Sequence, residues 1–207
     1  MIRDCGTNFP PKQLSMIILD TDIIRLPDTN IPNMYDLRSY RQGDEFSWAN
    51  TLKLGGFMDW NVERVLQYLE EPERREGSSV VAHEGEVIAA TFASRTTNRG
   101  PSDVADTMSN EYHGLYEDQS LEGVVDYVVT RPIHQGQGLG RATTMNVIKF
   151  LADRGCKTVS LTTDDWRLPA IHLYLSIGFR PVMNRKDMLS RWQKVLNKLK
   201  ERGFEYP

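Results

Sequence analysis

Cysteine is almost missing from this chain. Cys5 and Cys156 are the whole complement, and they lie far apart in 207 residues. That excludes a disulfide framework and a zinc site built from cysteine pairs. No uninterrupted apolar run reaches the roughly 20 residues of a membrane-spanning helix. Met1-Ile2-Arg3-Asp4-Cys5 opens no long apolar stretch, which argues against a secretory leader. A surplus of either charge is lacking too. The net charge is −3 and the pI near 5.8, which offers no attraction for nucleic acid or an anionic membrane. The Walker pattern is absent, as is any internal repeat. These absences set the expectation of a cytoplasmic protein with no nucleic-acid partner, no membrane partner and no metal. A homodimer is left open.

Hydrophobic content of 40% and charged content of 26% fit an ordinary globular domain. The chain is read as an N-terminal extension over 1–34 and a single domain over 35–207 that ends in a helix. In the extension, Pro10-Pro11 suggests a loose arm, and Met16–Leu19 and Asp22–Leu26 each suit a short strand. Tyr35–Tyr40 reads as a strand. Helices are expected from Gly43-Asp44-Glu45 to Leu54 and from Asn61 to Glu71, the second ended by Pro72. Ser79–His83 and Val87–Ser94 form a hairpin about Glu84-Gly85-Glu86. A long polar loop runs over 95–122, carrying Asp103, Asp106, Glu111, Glu117, Asp118 and Glu122. Its acidity would attract a cationic amine. The second half alternates: a strand to Thr130, a helix to about Arg154, the strand Lys157–Thr163, the helix Pro169–Ile177 capped by Gly178, a strand Phe179–Met183, and the helix Leu189–Arg202. The fold class is therefore α/β, a mixed sheet with an antiparallel first half and βαβ character in the second.

The feature richest in chemistry is Gln135-Gly136-Gln137-Gly138-Leu139-Gly140-Arg141, set between an apolar strand and an amphipathic helix. Three glycines there leave a row of backbone N–H groups with no Cβ in the way. The helix N-terminus adds unpaired donors and its positive dipole end, so the turn suits a phosphate. The spacing departs from the dinucleotide fingerprint.

Gln135-x-x-Gly138-x-Gly140 resembles the acetyl-CoA signature of the GNAT N-acetyltransferases, (Arg/Gln)-x-x-Gly-x-(Gly/Ala). Ala170-Ile171-His172-Leu173-Tyr174-Leu175-Ser176-Ile177-Gly178-Phe179 is similar to a second family block, Ala-(x)3-Tyr-(x)3-Gly-Phe. The order of elements from about Tyr35 to Met183 fits as well. Tyr40-Arg41-x-Gly43-Asp44-Glu45 and the segment from Thr163 to Ile171 resemble members related to mycothiol synthase halves. Two departures stand out. Arg167 occupies a position where many members carry Asn. A helical tail stands where the family usually adds a last strand.

The resemblance implies a central mixed sheet flanked by helices, with strands splayed around 128 and 162. It implies acetyl-CoA as cosubstrate and a small-molecule amine as acceptor, attacked directly in a ternary complex. A protein N-terminal or lysine acetyltransferase and a non-catalytic acyl-CoA-binding module are the rival readings. Gln135, Gly136, Gln137, Gly138, Leu139, Gly140 and Arg141 would hold the diphosphate, with Arg167 touching the cofactor arm. Tyr127, Val128 and Val129 would pair with the extended arm, across from Leu161-Thr162-Thr163. Tyr174 would protonate the departing thiolate. The ammonium also needs a base. Asp126, an acid inside an apolar strand, is the best candidate. Glu122, His113 and Asp165 are weaker ones, and Glu122 and His113 are read as acceptor contacts. Trp48, Phe57, Trp60 and Tyr68 suit an aromatic wall, although helix spacing favours core for most of them. His172 and Cys156 read as packed residues.

Overall fold

The computed structural model describes residues 13–96 and 121–204. His113 and most of the acidic loop lie outside them, as does Pro10-Pro11. Among the described residues the strands form one seven-stranded sheet. They are β1 Leu14–Leu19, β2 Asp36–Ser39, β3 Ser79–His83, β4 Glu86–Thr96, β5 Glu122–Thr130, β6 Thr158–Thr163 and β7 Arg180–Pro181, in the spatial order β2-β3-β4-β5-β6-β1-β7. The helices are α1 Asp20–Ile23, α2 Asp44–Leu54, α3 Val62–Tyr68, α4 Pro72–Gly77, α5 Leu139–Asp153, α6 Leu168–Ile177 and α7 Met188–Glu201. None is long and apolar enough to cross a membrane.

In the first half each of β2, β3, β4 and β5 runs antiparallel to its neighbour, and β3 and β4 form a hairpin. Glu84 and Gly85 both take positive φ, 50° and 81°, which a two-residue hairpin turn with the right twist demands. The β5–α5–β6 unit supplies the parallel pair.

Four elements differ from the sequence expectation. Leu14–Leu19 is an interior strand of the sheet, antiparallel to β6 along its whole length and to β7 on its other edge. It thus stands beside β6, while α7 follows β7 where the resemblance expects a last strand. Asp22–Leu26 is not a strand. Asp20 and Asp22 sit in the first turn of α1, where the helix dipole favours acids. The helix expected over Asn61–Glu71 stops at Tyr68, and Pro72 opens α4 at its first position, where its missing N–H costs nothing. The strand expected over Phe179–Met183 shrinks to two residues, since Pro181 brings no donor to the ladder.

Among the described residues, two large cores hold the layers, beside a small cluster of Val81, Ile88, Ala89 and Leu139. One packs β1, β6, α5, α6 and α7 around Met16, Ile18, Ile148, Ile171 and Trp192. The other packs α2 and α3 on β3, β4 and β5, with Trp48, Phe92 and Trp60 stacked in a row at centroid distances of 4.2 and 5.3 Å. A Cβ on Gly55 would lie 2.2 Å from Val129 Cγ2, so glycine there lets the end of α2 close onto β5.

Candidate active site

Gly136 and Gly138 take φ of 79° and 76°, and a Cβ on either would meet nothing within 4 Å. The turn is therefore wound by glycine, and among the described residues nothing crowds those two positions. Gly140 differs, because a Cβ there would lie 3.2 Å from Thr130 Oγ1; it lets α5 close onto β5. The first N–H of α5 bound within the turn is that of Ala142, onto the Gly138 carbonyl at 3.0 Å. Among the described residues, the amides from Gly136 to Arg141 have no backbone acceptor, and no side chain caps the helix. An unfilled row of donors at a dipole's positive end fits a diphosphate. The Gln135 side chain binds back to the Thr130 carbonyl at 3.3 Å, and Arg141 donates to Ser176 Oγ at 2.8 Å. These bonds steady the turn against β5 and α6.

β5 and β6 pair only from Glu122 to Val124 and from Thr158 to Ser160. Beyond, they part. β6 stays paired with β1 and β5 with β4, which leaves one edge of β5 without a strand partner among the described residues from Val125 onward. A bulge sharpens the break: Thr91 opposes both Tyr127 and Val128, and Tyr127 takes φ of 46°. A tyrosine in that region costs about 1–3 kcal/mol and marks a constrained site. The bulge also places two consecutive side chains on one side. Asp126 reaches Tyr68, and the Tyr127 ring packs against Phe57 at 5.2 Å and Trp60 at 4.7 Å.

The gap between β5 and β6 is a cleft of about 160 Å³ whose lining includes Asp126, Tyr127, Val128, Arg167 and Tyr174, together with Phe57, Gln13 and Asp164. A free strand edge along such a cleft fits an extended, amide-bearing arm of the kind acetyl-CoA carries. Tyr174 is 6% exposed, and its hydroxyl bonds to no described residue. Burial pushes its phenol up, opposed by Arg167 and assisted by Asp126, so the group stays protonated and able to donate. Tyr68 donates to Asp126 Oδ2 at 2.5 Å. Its own phenol is pushed up, first by burial and then by the Asp126 charge. Arg167 stacks over Phe57 at 4.8 Å and Trp166 at 4.5 Å, and its Nε binds Asp164 at 3.3 Å.

The structure thus gathers Asp126, Tyr127, Val128, Arg167 and Tyr174 about one cleft. Val129 turns its side chain into the second core. Glu122 does not line the cleft. It starts β5 in the paired base of the sheet, close enough to Cys156 for its charge to act on the thiol. Asp165 is bound by Arg191 Nε at 3.0 Å and by Nη2. Those bonds hold its carboxyl below the usual range, which weakens it as a base. Of the expected aromatic wall, Trp48 and Trp60 are core, and Phe57 alone lines the cleft. His172 stacks on Phe204 at 4.6 Å. Cys156 is buried and its thiol pushed up by that burial. Sequence reasoning missed Tyr68 as the partner of Asp126 and missed Gln13, whose signal is contact across the chain. No cluster of three or more His, Cys, Asp or Glu suited to a metal occurs among the described residues.

The family described as Acetyltransferase (GNAT) family matches residues 46–179, well over half of the chain. The mycothiol acetyltransferase of Thermobifida fusca is 31% identical over 154 residues, covering 72% of this chain and 45% of the relative. That of Acidothermus cellulolyticus is 29% identical over 163 residues, covering 75% and 47%. The chain spans about half the length of these curated relatives. Among solved structures, a GCN5-related N-acetyltransferase from Sphaerobacter thermophilus superposes with a TM-score of 0.59 at 18% identity, over 82% of this chain and 49% of that one. A transcriptional regulator from Bacillus halodurans superposes with a TM-score of 0.54 at 20% identity, over 70% and 93%. These two likenesses speak to the fold. With a glycine turn and two parted strands in one sheet, and a family match spanning both, the chain belongs to the GNAT acetyltransferase family.

Proposed function

We propose that the chain is an acetyl-CoA-dependent N-acetyltransferase, working in the cytoplasm on the primary amine of a small molecule. Direct attack occurs in a ternary complex. One observation carries this reading: Tyr174 and Asp126 line the same gap between β5 and β6, and the open glycine turn follows from β5. The relatives' name, mycothiol acetyltransferase, supports a small molecule as acceptor.

Acetyl-CoA, when bound, supplies the acetyl group as a thioester. Backbone amides from Gly136 to Arg141 bind the diphosphate, and the free edge of β5 at Tyr127-Val128-Val129 orients the arm. Asp126 takes a proton from the acceptor ammonium, leaving a neutral amine. The amine lone pair forms the N–C bond as the C–S bond breaks. Tyr174 gives its proton to the departing sulfur. The new amide nitrogen sheds its extra proton to solvent, Asp126 releases the proton it took, and solvent restores Tyr174.

The test is release of free thiol from acetyl-CoA across polyamines, amino sugars, amino acids and short peptides. Saturable release with a small amine and intersecting initial-velocity lines are expected. Release only with peptides would move the assignment to protein acetylation. CoA binding with no amine-dependent release would leave an acyl-CoA-binding module.

A further inference from the structure

Helix α6 gives the cleft a direction. Its C-terminal half lies by the glycine turn: Arg141 binds Ser176, and a Cβ on Gly140 would lie 3.9 Å from Leu173. Tyr174 stands in that half. Arg167, Ala170 and Tyr174 recur at helical spacing and all line the cleft. Seven residues separate Arg167 from Tyr174, so Arg167 stands about 10 Å farther along the axis, away from the turn. A ligand anchored at the turn and reacting beside Tyr174 therefore leaves Arg167 on the acceptor side of the reacting bond.

The guanidinium there is held but not used up. Its central carbon lies over the Phe57 ring at 4.8 Å and over the Trp166 ring at 4.5 Å. Asp164 takes Nε, and Gln13 Nε2 binds the same carboxylate at 3.1 Å, while Thr162 steadies Gln13 at 2.9 Å. The two Nη atoms have no hydrogen-bond acceptor among the described residues, and the side chain is only 25% exposed. Charged side chains lining the cleft are Asp126, Asp164 and Arg167. With Asp164 committed to Arg167 and Gln13, the charged groups left to meet a ligand among the described residues are one carboxylate and one guanidinium fork. A planar fork fixed by stacking, with both terminal nitrogens open, matches a carboxylate in two-pronged geometry.

We propose that the acceptor is an aminocarboxylate, with its ammonium on Asp126 and its carboxylate on the Arg167 fork. The inference rests on the acetyl-transfer reading for the Asp126 end. It deepens that reading by naming the acceptor's second charge.

The test is calorimetry on the enzyme–CoA complex, which needs no turnover. Aminocarboxylates from glycine to 6-aminohexanoate are titrated beside the n-alkylamines of equal length. A charge-assisted pair of this kind is worth about 10- to 100-fold in affinity. At least one aminocarboxylate is expected to exceed its alkylamine by that factor. Arg167→Gln should bring the pair within about twofold. Arg167→Lys, which keeps the charge and loses the fork, should fall between. The proposal is overturned if no pair is discriminated, if discrimination survives Arg167→Gln, or if that variant weakens CoA instead, which would assign Arg167 to the cofactor arm. Discrimination without acetyl transfer would uphold the charge pairing and sink the transferase reading.

Discussion

The hydroxyl of Tyr68 donates to Oδ2 of Asp126 at 2.5 Å, joining α3 to the strand that carries the bulge. Arg74 lies over the Tyr68 ring at 3.9 Å and fixes it from the far side. Because burial and the Asp126 charge both push the phenol up, it remains a donor across the working pH range. That bond fixes which way the carboxylate faces in the cleft. Tyr68→Phe removes the donor and frees the carboxylate to turn. kcat/KM with the amine is expected to fall about 10-fold, with CoA affinity in calorimetry unchanged. An unchanged kcat/KM would mean that Tyr68 positions no group used in the reaction.

Tyr174 offers a cleaner separation of chemistry from binding. Its hydroxyl has no hydrogen-bond partner among the described residues, and its ring packs on Phe179 at 5.9 Å. Tyr174→Phe therefore keeps the packing and removes only the proton donor. Turnover should fall about 10²- to 10⁴-fold, while acetyl-CoA affinity changes by less than about threefold. The melting temperature should not drop, since no internal hydrogen bond is lost. Equal turnover of the two proteins would remove Tyr174 from the reaction.

What the sequence made legible follows from the range of each interaction. The glycine turn, the hairpin at Glu84-Gly85 and the cap at Gly178 are local, and each is set by residues that sit side by side. β1 is the opposite case. Leu14 pairs with Thr163 and Leu19 with Thr158, so its place in the sheet is decided at the far end of the chain. The apolar pattern shows a strand but not its neighbours. Tyr68 illustrates a third kind. Helix spacing correctly puts it against the α2–α3 core, yet its polar tip meets Asp126 because of the bulge at Tyr127, and a tyrosine at positive φ has no sequence signature. The parted strands around 128 and 162 came from family resemblance. No local pattern in β5 or β6 tells where two parallel strands separate.

The interior position of β1 has a measurable cost. Ile18 is fully buried opposite Val159, whereas Ile24, six residues on, is 84% exposed. Ile18→Ala should lose about 2–5 kcal/mol in urea unfolding. Ile24→Ala should stay within about 0.5 kcal/mol. Equal effects at the two positions would place Leu14–Leu19 outside the cooperative core.

Gly138→Glu sets ligand binding against folding at a single atom. A Cβ there meets nothing within 4 Å among the described residues, so the first atom of a side chain meets no clash. The φ of 76° adds a penalty of about 1–2 kcal/mol for any residue with a Cβ. A carboxylate at the N-terminus of α5 is itself favoured by the helix dipole, by about 0.3–1 kcal/mol, which offsets part of that penalty. Folding should therefore survive, with a melting temperature lower by a few degrees. The same carboxylate occupies the space and opposes the charge of a diphosphate, so CoA affinity in calorimetry should fall by about 100-fold or more. Gly155, with φ of 87° and equally open surroundings at the far end of α5, is the control. Gly155→Glu adds the same charge and similar backbone strain away from the turn, and CoA should bind it as it binds the parent. Similar affinities in all three proteins would mean that the amides from Gly136 to Arg141 hold no phosphate, and the acetyl-transfer reading would lose its anchor.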